Sequence, residues 1–121
     1  MGVIENDFIM RQIEDMTGML GKVFLHKQQA EEIHEEDLND EEAKNYLRKI
    51  KKLMEEGNFK EAAAALKNDF KNGNMEYLSV ALTCFDQMNA KDETELSNAG
   101  YSRNQLYNDL SFISEQFGIC L

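Results

Sequence analysis

The chain has 121 residues, 42% apolar and 30% charged, with no proline and a net charge of −10. That length suits one domain with a single core. The acidic balance argues against nucleic acid as the main partner, because phosphate binding needs a surplus of Lys and Arg to release counterions. An anionic bilayer would repel the chain for the same reason.

No apolar run approaches the ~20 residues needed to span a membrane, and the opening residues lack the basic-then-apolar layout of a signal peptide. The two cysteines, Cys84 and Cys120, form no metal-ligand spacing. The expectation is a cytoplasmic protein with reduced thiols, Cys84 being a small buried hydrophobe in SVALTCF.

The first helix is predicted from about Asn6 to Lys27, within an N-terminal segment 1–30. Ile9, Ile13, Met16, Leu20 and Val23 recur at alternating steps of four and three, which puts them on one stripe. Phe8 and Phe24 widen it. Gly18 and Gly21 interrupt the helix at a cost of roughly 2 kcal/mol relative to alanine, tolerable where another backbone comes close or the helix bends. The heptad-like spacing makes Ile9, Ile13, Met16, Leu20, Val23 and Phe24 a candidate seam for a protein partner or a second copy. The competing reading packs the same stripe on the rest of the domain.

Residues 31–42, EEIHEEDLNDEE, hold eight acids and no base, and read as a solvated acidic linker. Glu31 and His34 have the Glu-x-x-His spacing of a di-metal site, but no second copy exists to complete one. The helical core is assigned to 43–121. Asn39 with Glu42 gives a capping box, with Leu38 as a staple. Tyr46, Leu47, Ile50, Leu53 and Met54 form the apolar face up to Gly57. Lys44, Arg48, Lys49, Lys51 and Lys52 crowd the other faces, either balancing the acidic run or offering a basic strip.

Asn58 with Glu61 opens the next helix, whose inner face is Phe59, Ala62, Ala63, Leu66 and Phe70, and Gly73 ends it. A helix from about Met75 to Met88 turns Leu78, Ala81, Leu82 and Phe85 inward. Asp92 with Glu95 starts a short helix through Leu96, closed by Gly100. Ser102 with Gln105 caps the last helix, with Leu106, Leu110, Ile113 and Phe117 inward and Gly118 as its stop. No stretch alternates with period two. The fold class is all-α: an N-terminal amphipathic helix followed by helical hairpins.

GNFKEA, Gly57 to Ala62, resembles the turn of a tetratricopeptide repeat: glycine, an aromatic two on, alanine five on. Tyr46, Leu53 and Leu66 take its large apolar positions. Ile50 stands where that family has a small residue, Asp69 replaces its late alanine, and 34 residues beyond Gly57 stands Lys91, so one hairpin carries the likeness. Over nearly its whole length, through NDFIMRQIEDMTGML, LMEEGNFKEA, DETELSNAGYSRNQL and FGI, the chain resembles a family of short uncharacterised bacterial helical proteins found mostly in Firmicutes. The resemblance implies a cytosolic helical fold with a tetratricopeptide-like middle, and transfers no activity, cofactor or site residue.

No HExxH, GxSxG, GxxxxGK[ST] or GxGxxG pattern occurs, and His26 and His34 are remote in sequence from both cysteines. The expected function is a non-enzymatic protein–protein interaction or oligomerisation module, without cofactor or metal. The alternative is a small-ligand binder or enzyme with an inter-helix pocket lacking a motif.

Overall fold

A computed structural model describes residues 3–25, with side chains from residue 7 on, and residues 33–116. The elements are α1 (Val3–Leu25), α2 (Glu41–Glu55), α3 (Phe59–Asn68), α4 (Met75–Asn89), α5 (Glu93–Asn98) and α6 (Arg103–Gln116), with a 3-10 turn at Glu35–Asp37. The described residues are all-α and contain no strand. None of these helices is long and apolar enough to cross a membrane.

Helix directions follow from paired residues. Asn89 Nδ2 donates to Met10 O at 3.0 Å and Thr17 meets Asp86 at 2.6 Å, so α1 and α4 are antiparallel. Tyr46 Oη donates to Leu66 O at 2.5 Å and Lys49 meets Asp69 at 2.8 Å, so α2 and α3 form an antiparallel hairpin. Asp40 lies beside Asn74, making α2 parallel to α4, and Arg103 at the start of α6 reaches Asn89 at the end of α4. Helices α1, α3 and α6 therefore run one way, α2 and α4 the other.

Helix α4 is the hub, packed against α1, α2, α3 and α6. The inward set Leu78, Ala81, Leu82 and Phe85 is buried as expected, but so are Tyr77, Val80, Thr83, Cys84 and Met88. A helix surrounded by four others has no polar face to keep. Burial pushes the Cys84 thiol up to about 12, so it packs as an inert hydrophobe.

Two of the glycine stops, Gly57 and Gly100, work as expected, whereas α3 already ends at Asn68, so Phe70 lies beyond the helix and Gly73 shapes the following turn instead. Gly57 has φ +80°; Asn58 N donates to Leu53 O at 2.8 Å and Gly57 N to Met54 O at 3.0 Å, the paired bonds of a Schellman end. Gly100 closes α5 in the same way, through Tyr101 N to Leu96 O and Gly100 N to Ser97 O. Asp92 Oδ1 accepts from Glu95 N at 2.8 Å, and Ser102 Oγ accepts from Gln105 N at 3.2 Å, as their spacings predict.

Two caps differ. Asp40, not Asn39, caps α2, its Oδ1 accepting from Glu42 N at 3.0 Å. The Asn39 and Asp40 N–H groups are held instead by the Glu76 carboxylate from α4, which no local spacing announces. Asn58 stands at the cap position of α3 without a side-chain capping bond, while its own N–H closes α2.

The run read as an acidic linker is, from residue 33 on, attached to the core. Ile33 and Leu38 are buried, and Ile33 N donates to Thr83 Oγ1 at 3.3 Å. The basic strip balances acids along the chain: Arg48 pairs with Glu35, Lys44 with Glu41 and Lys49 with Asp69. His26, Phe117, Gly118 and Cys120 lie outside the described residues.

Candidate functional site

The sequence-derived seam divides. Ile13, Met16 and Leu20 are buried in the chain's own core, while Ile9 and Phe24 are partly buried against it. Val23 is 52% exposed, and Phe8, which widens the stripe, is 64% exposed. The helix thus packs in cis on α4 and α6. Three of the six seam residues are covered, because a stripe that wide satisfies an intramolecular groove as readily as a partner.

Two clefts flank the C-terminal half of α4. One, of about 500 Å³, lies against α2 and is lined by Lys51, Met54, Glu55, Gln87, Ala90 and Lys91. The other, of about 600 Å³, lies against α1 and is lined by Met10, Glu14, Thr17, Gly18, Asp86, Asn89 and Ala90. Helix geometry explains the second lining. Residues 10, 14, 17 and 18 occupy one edge of α1, and 86 and 89 are one turn apart on α4.

Gly18 shapes that cleft. A Cβ built there meets nothing within 4 Å, and one built at Gly21 meets only Leu82 Cδ1 at 4.0 Å. Among the described residues, no other backbone segment comes close enough to require either glycine. At Gly18 the missing side chain simply leaves the wall low.

The polar groups on the floor are ordered. Thr17 Oγ1 lies 2.6 Å from Asp86 Oδ1 and 3.1 Å from Glu14 O. Burial raises the Asp86 carboxyl above the ordinary aspartate range; the Thr17 hydrogen bond opposes this, and the Glu14 charge adds to it. Behind them, buried Asn89 joins three helices, donating to Met10 O on α1 and accepting from Arg103 Nε of α6 at 3.3 Å. Arg103 also donates to Asn89 O at 3.0 Å and to Lys91 O, satisfying carbonyls at the end of α4. Among the described residues no buried side-chain nitrogen or oxygen is left without a partner.

This floor offers negative charge and acceptors beside the apolar edges of Met10 and Ala90. Chemically it suits donors and cations rather than anions. Among the described residues no group of three His, Cys, Asp or Glu side chains is placed to hold a metal ion. Sequence reading passed over Thr17, Gly18, Asp86 and Asn89 as a site. The available signal was Asp86 and Asn89, one turn apart at the end of a mostly apolar helix, and a glycine beside the stripe of α1.

A family model matches residues 3–118, that of the family of unknown function DUF6483. The chain belongs to this family. No curated protein and no solved structure was found to match it. For this DUF6483 member the site therefore has to be argued from its own geometry.

Proposed function

We propose that this DUF6483 protein is a non-enzymatic protein–protein interaction module of the bacterial cytoplasm. The observation that carries the reading is the α1–α4 cleft, where no neighbouring group among the described residues comes within 4 Å of the side chain that Gly18 lacks. A mid-helix glycine costs about 1 kcal/mol relative to alanine. Since the fold does not need it, its use lies with something outside that rests against it.

The α2–α3 hairpin is read as tetratricopeptide-like; in support, Gly57 takes the left-handed turn, and Phe59 and Ala62 are buried where the helices meet. A second copy of the chain is one possible partner, through the exposed Phe8 and Val23 of α1. The second reading is a small-ligand binder, favoured by a cleft volume of about 600 Å³, within the usual range for such sites.

Affinity capture on the immobilised full chain, compared with its Gly18→Leu variant, tests the first reading. A partner held by the intact chain and lost by the variant supports it. Identical capture by both overturns it.

A further inference from the structure

We propose that the α1–α4 cleft is the seat of a basic side chain, the ammonium of a lysine or the guanidinium of an arginine, presented by the protein partner and paired with Asp86. The inference rests on the interaction-module reading and supplies its chemistry.

Three observations carry it. First, several carboxylates, most of them nearer the surface of the fold, are paired with cations. Asp69 has Lys49 at 2.8 Å, Asp109 has Lys67 at 2.8 Å, Glu42 has Lys71 at 2.7 Å, and Glu35 has Arg48. Asp86 is only partly exposed, and no lysine or arginine among the described residues is paired with it. A carboxylate withdrawn from water without a cation is held at a cost that an incoming cation removes.

Second, the two clefts beside α4 differ in sign. The α2 cleft carries Lys51 and Lys91 against Glu55, whereas the α1 cleft carries Glu14 and Asp86 with no basic residue among the described residues of its lining. An anionic partner group would be repelled from the second, and a cationic one drawn in.

Third, the cleft has the form that a long basic side chain uses. Such side chains lay their methylene stem on apolar surface and keep the charged head on a polar group. Met10 and Ala90 offer that surface, and Gly18 lines the same cleft as Asp86 with no side chain to occupy it. Only Oδ1 is engaged by the Thr17 hydroxyl, and a carboxylate accepts several donors.

The test is a titration of the ¹⁵N-labelled full chain with blocked alanine peptides bearing one central lysine, arginine or norleucine, and with 1,5-diaminopentane. The expected result is saturable movement of the Thr17, Gly18, Asn89 and Ala90 amides with the lysine or arginine peptide and none with norleucine. Asp86→Asn should weaken binding on the order of tenfold or more. Gly18→Leu should abolish it by filling the cleft. Both variants are checked for unchanged helicity and melting, and a Cβ at Gly18 meets no described neighbour.

Movement spread over the acidic residues 35–42, or binding indifferent to Asp86→Asn, overturns the proposal, as does no movement at all. Saturation by the diamine alone also overturns the partner side chain, and removes the protein-interaction reading in favour of a small-amine binder. If the peptides fail while Gly18→Leu still abolishes capture of a partner, the interaction reading stands and the Asp86 pairing falls.

Discussion

Thr17 sets one hydroxyl donor between two acceptors at the α1–α4 interface: it lies 2.6 Å from Asp86 Oδ1 and 3.1 Å from the Glu14 carbonyl of its own helix. A hydroxyl has a single hydrogen to give. With Asp86 ionised, the shorter contact takes it. With Asp86 protonated, the carboxyl can donate to Thr17, and the threonine hydrogen is released to Glu14 O. The junction therefore has a satisfied arrangement in either state, and burial favours the neutral one.

That asymmetry fixes a pH dependence. Burial, helped by the Glu14 charge and opposed by the Thr17 hydrogen bond, raises the folded Asp86 pKa above its ordinary value of 3.8. A carboxyl whose folded pKa is raised stabilises the fold below its unfolded pKa and loses that contribution as pH rises through the folded pKa. Asp86→Asn, which keeps an acceptor for Thr17 without the charge, is expected to raise Tm near neutral pH. The gain should shrink toward zero as pH falls to the ordinary aspartate range. Thermal melts of both chains across that interval check it, and a gain that grows toward acid would contradict it.

Arg103 is expected to be the costliest polar residue to remove. Its guanidinium donates to Asn89 Oδ1, Asn89 O and Lys91 O, closing the C-terminal end of α4 against α6. Arg103→Met should cost about 1.5–3 kcal/mol by leaving these acceptors short of a charged donor. Arg103→Lys should recover little, since one compact ammonium cannot reproduce a planar fork. Urea unfolding of the three chains measures both.

How much of this was legible beforehand depended on distance along the chain. Gly57, Gly100, Asp92 and Ser102 act on N–H and carbonyl groups within a few residues, so their spacing predicted their roles. Asn39 was mistaken for a cap because the group that captures its N–H, Glu76, lies 37 residues away. The seam of α1 was read correctly as an apolar stripe, yet periodicity has no term for which surface covers it. Asp86 and Asn89 become a cleft floor only through the antiparallel placement of α1, which no local spacing announces. Ile33 stands alone among acids with no period to follow, whereas the buried Leu38 was legible as a staple beside the helix start.

The glycines separate by sign. Gly18→Ala is expected to stabilise the chain by up to about 1 kcal/mol, since a Cβ there meets nothing and alanine is the better helix former. Gly57→Ala is expected to destabilise it by about 1 kcal/mol or more, because φ +80° strains any residue with a side chain. Nearby, Ala62→Leu should cost about 1–3 kcal/mol, since Ala62 is fully buried at the hairpin contact. Chemical denaturation of the three variants orders them, and a stabilising Gly57→Ala would contradict the turn described.

The face of α1 that remains available decides how self-association must be tested. Glutamate at Ile13 and Leu20 probes the wrong surface, because both side chains are fully buried in the chain's own core. Ile13→Glu with Leu20→Glu is expected to lose helicity and cooperative melting, since an unpaired charge forced into an apolar core costs several kcal/mol. Phe8→Glu with Val23→Glu alters exposed positions and should leave the circular dichroism spectrum and melt nearly unchanged. Sedimentation of the intact chain beside this second variant then isolates the oligomer. A mass above the monomer for the intact chain that falls to the monomer in the variant places a second copy on the exposed edge of α1. A monomer in both assigns the chain's partners to other proteins, and an oligomer in both excludes Phe8 and Val23 as the seam.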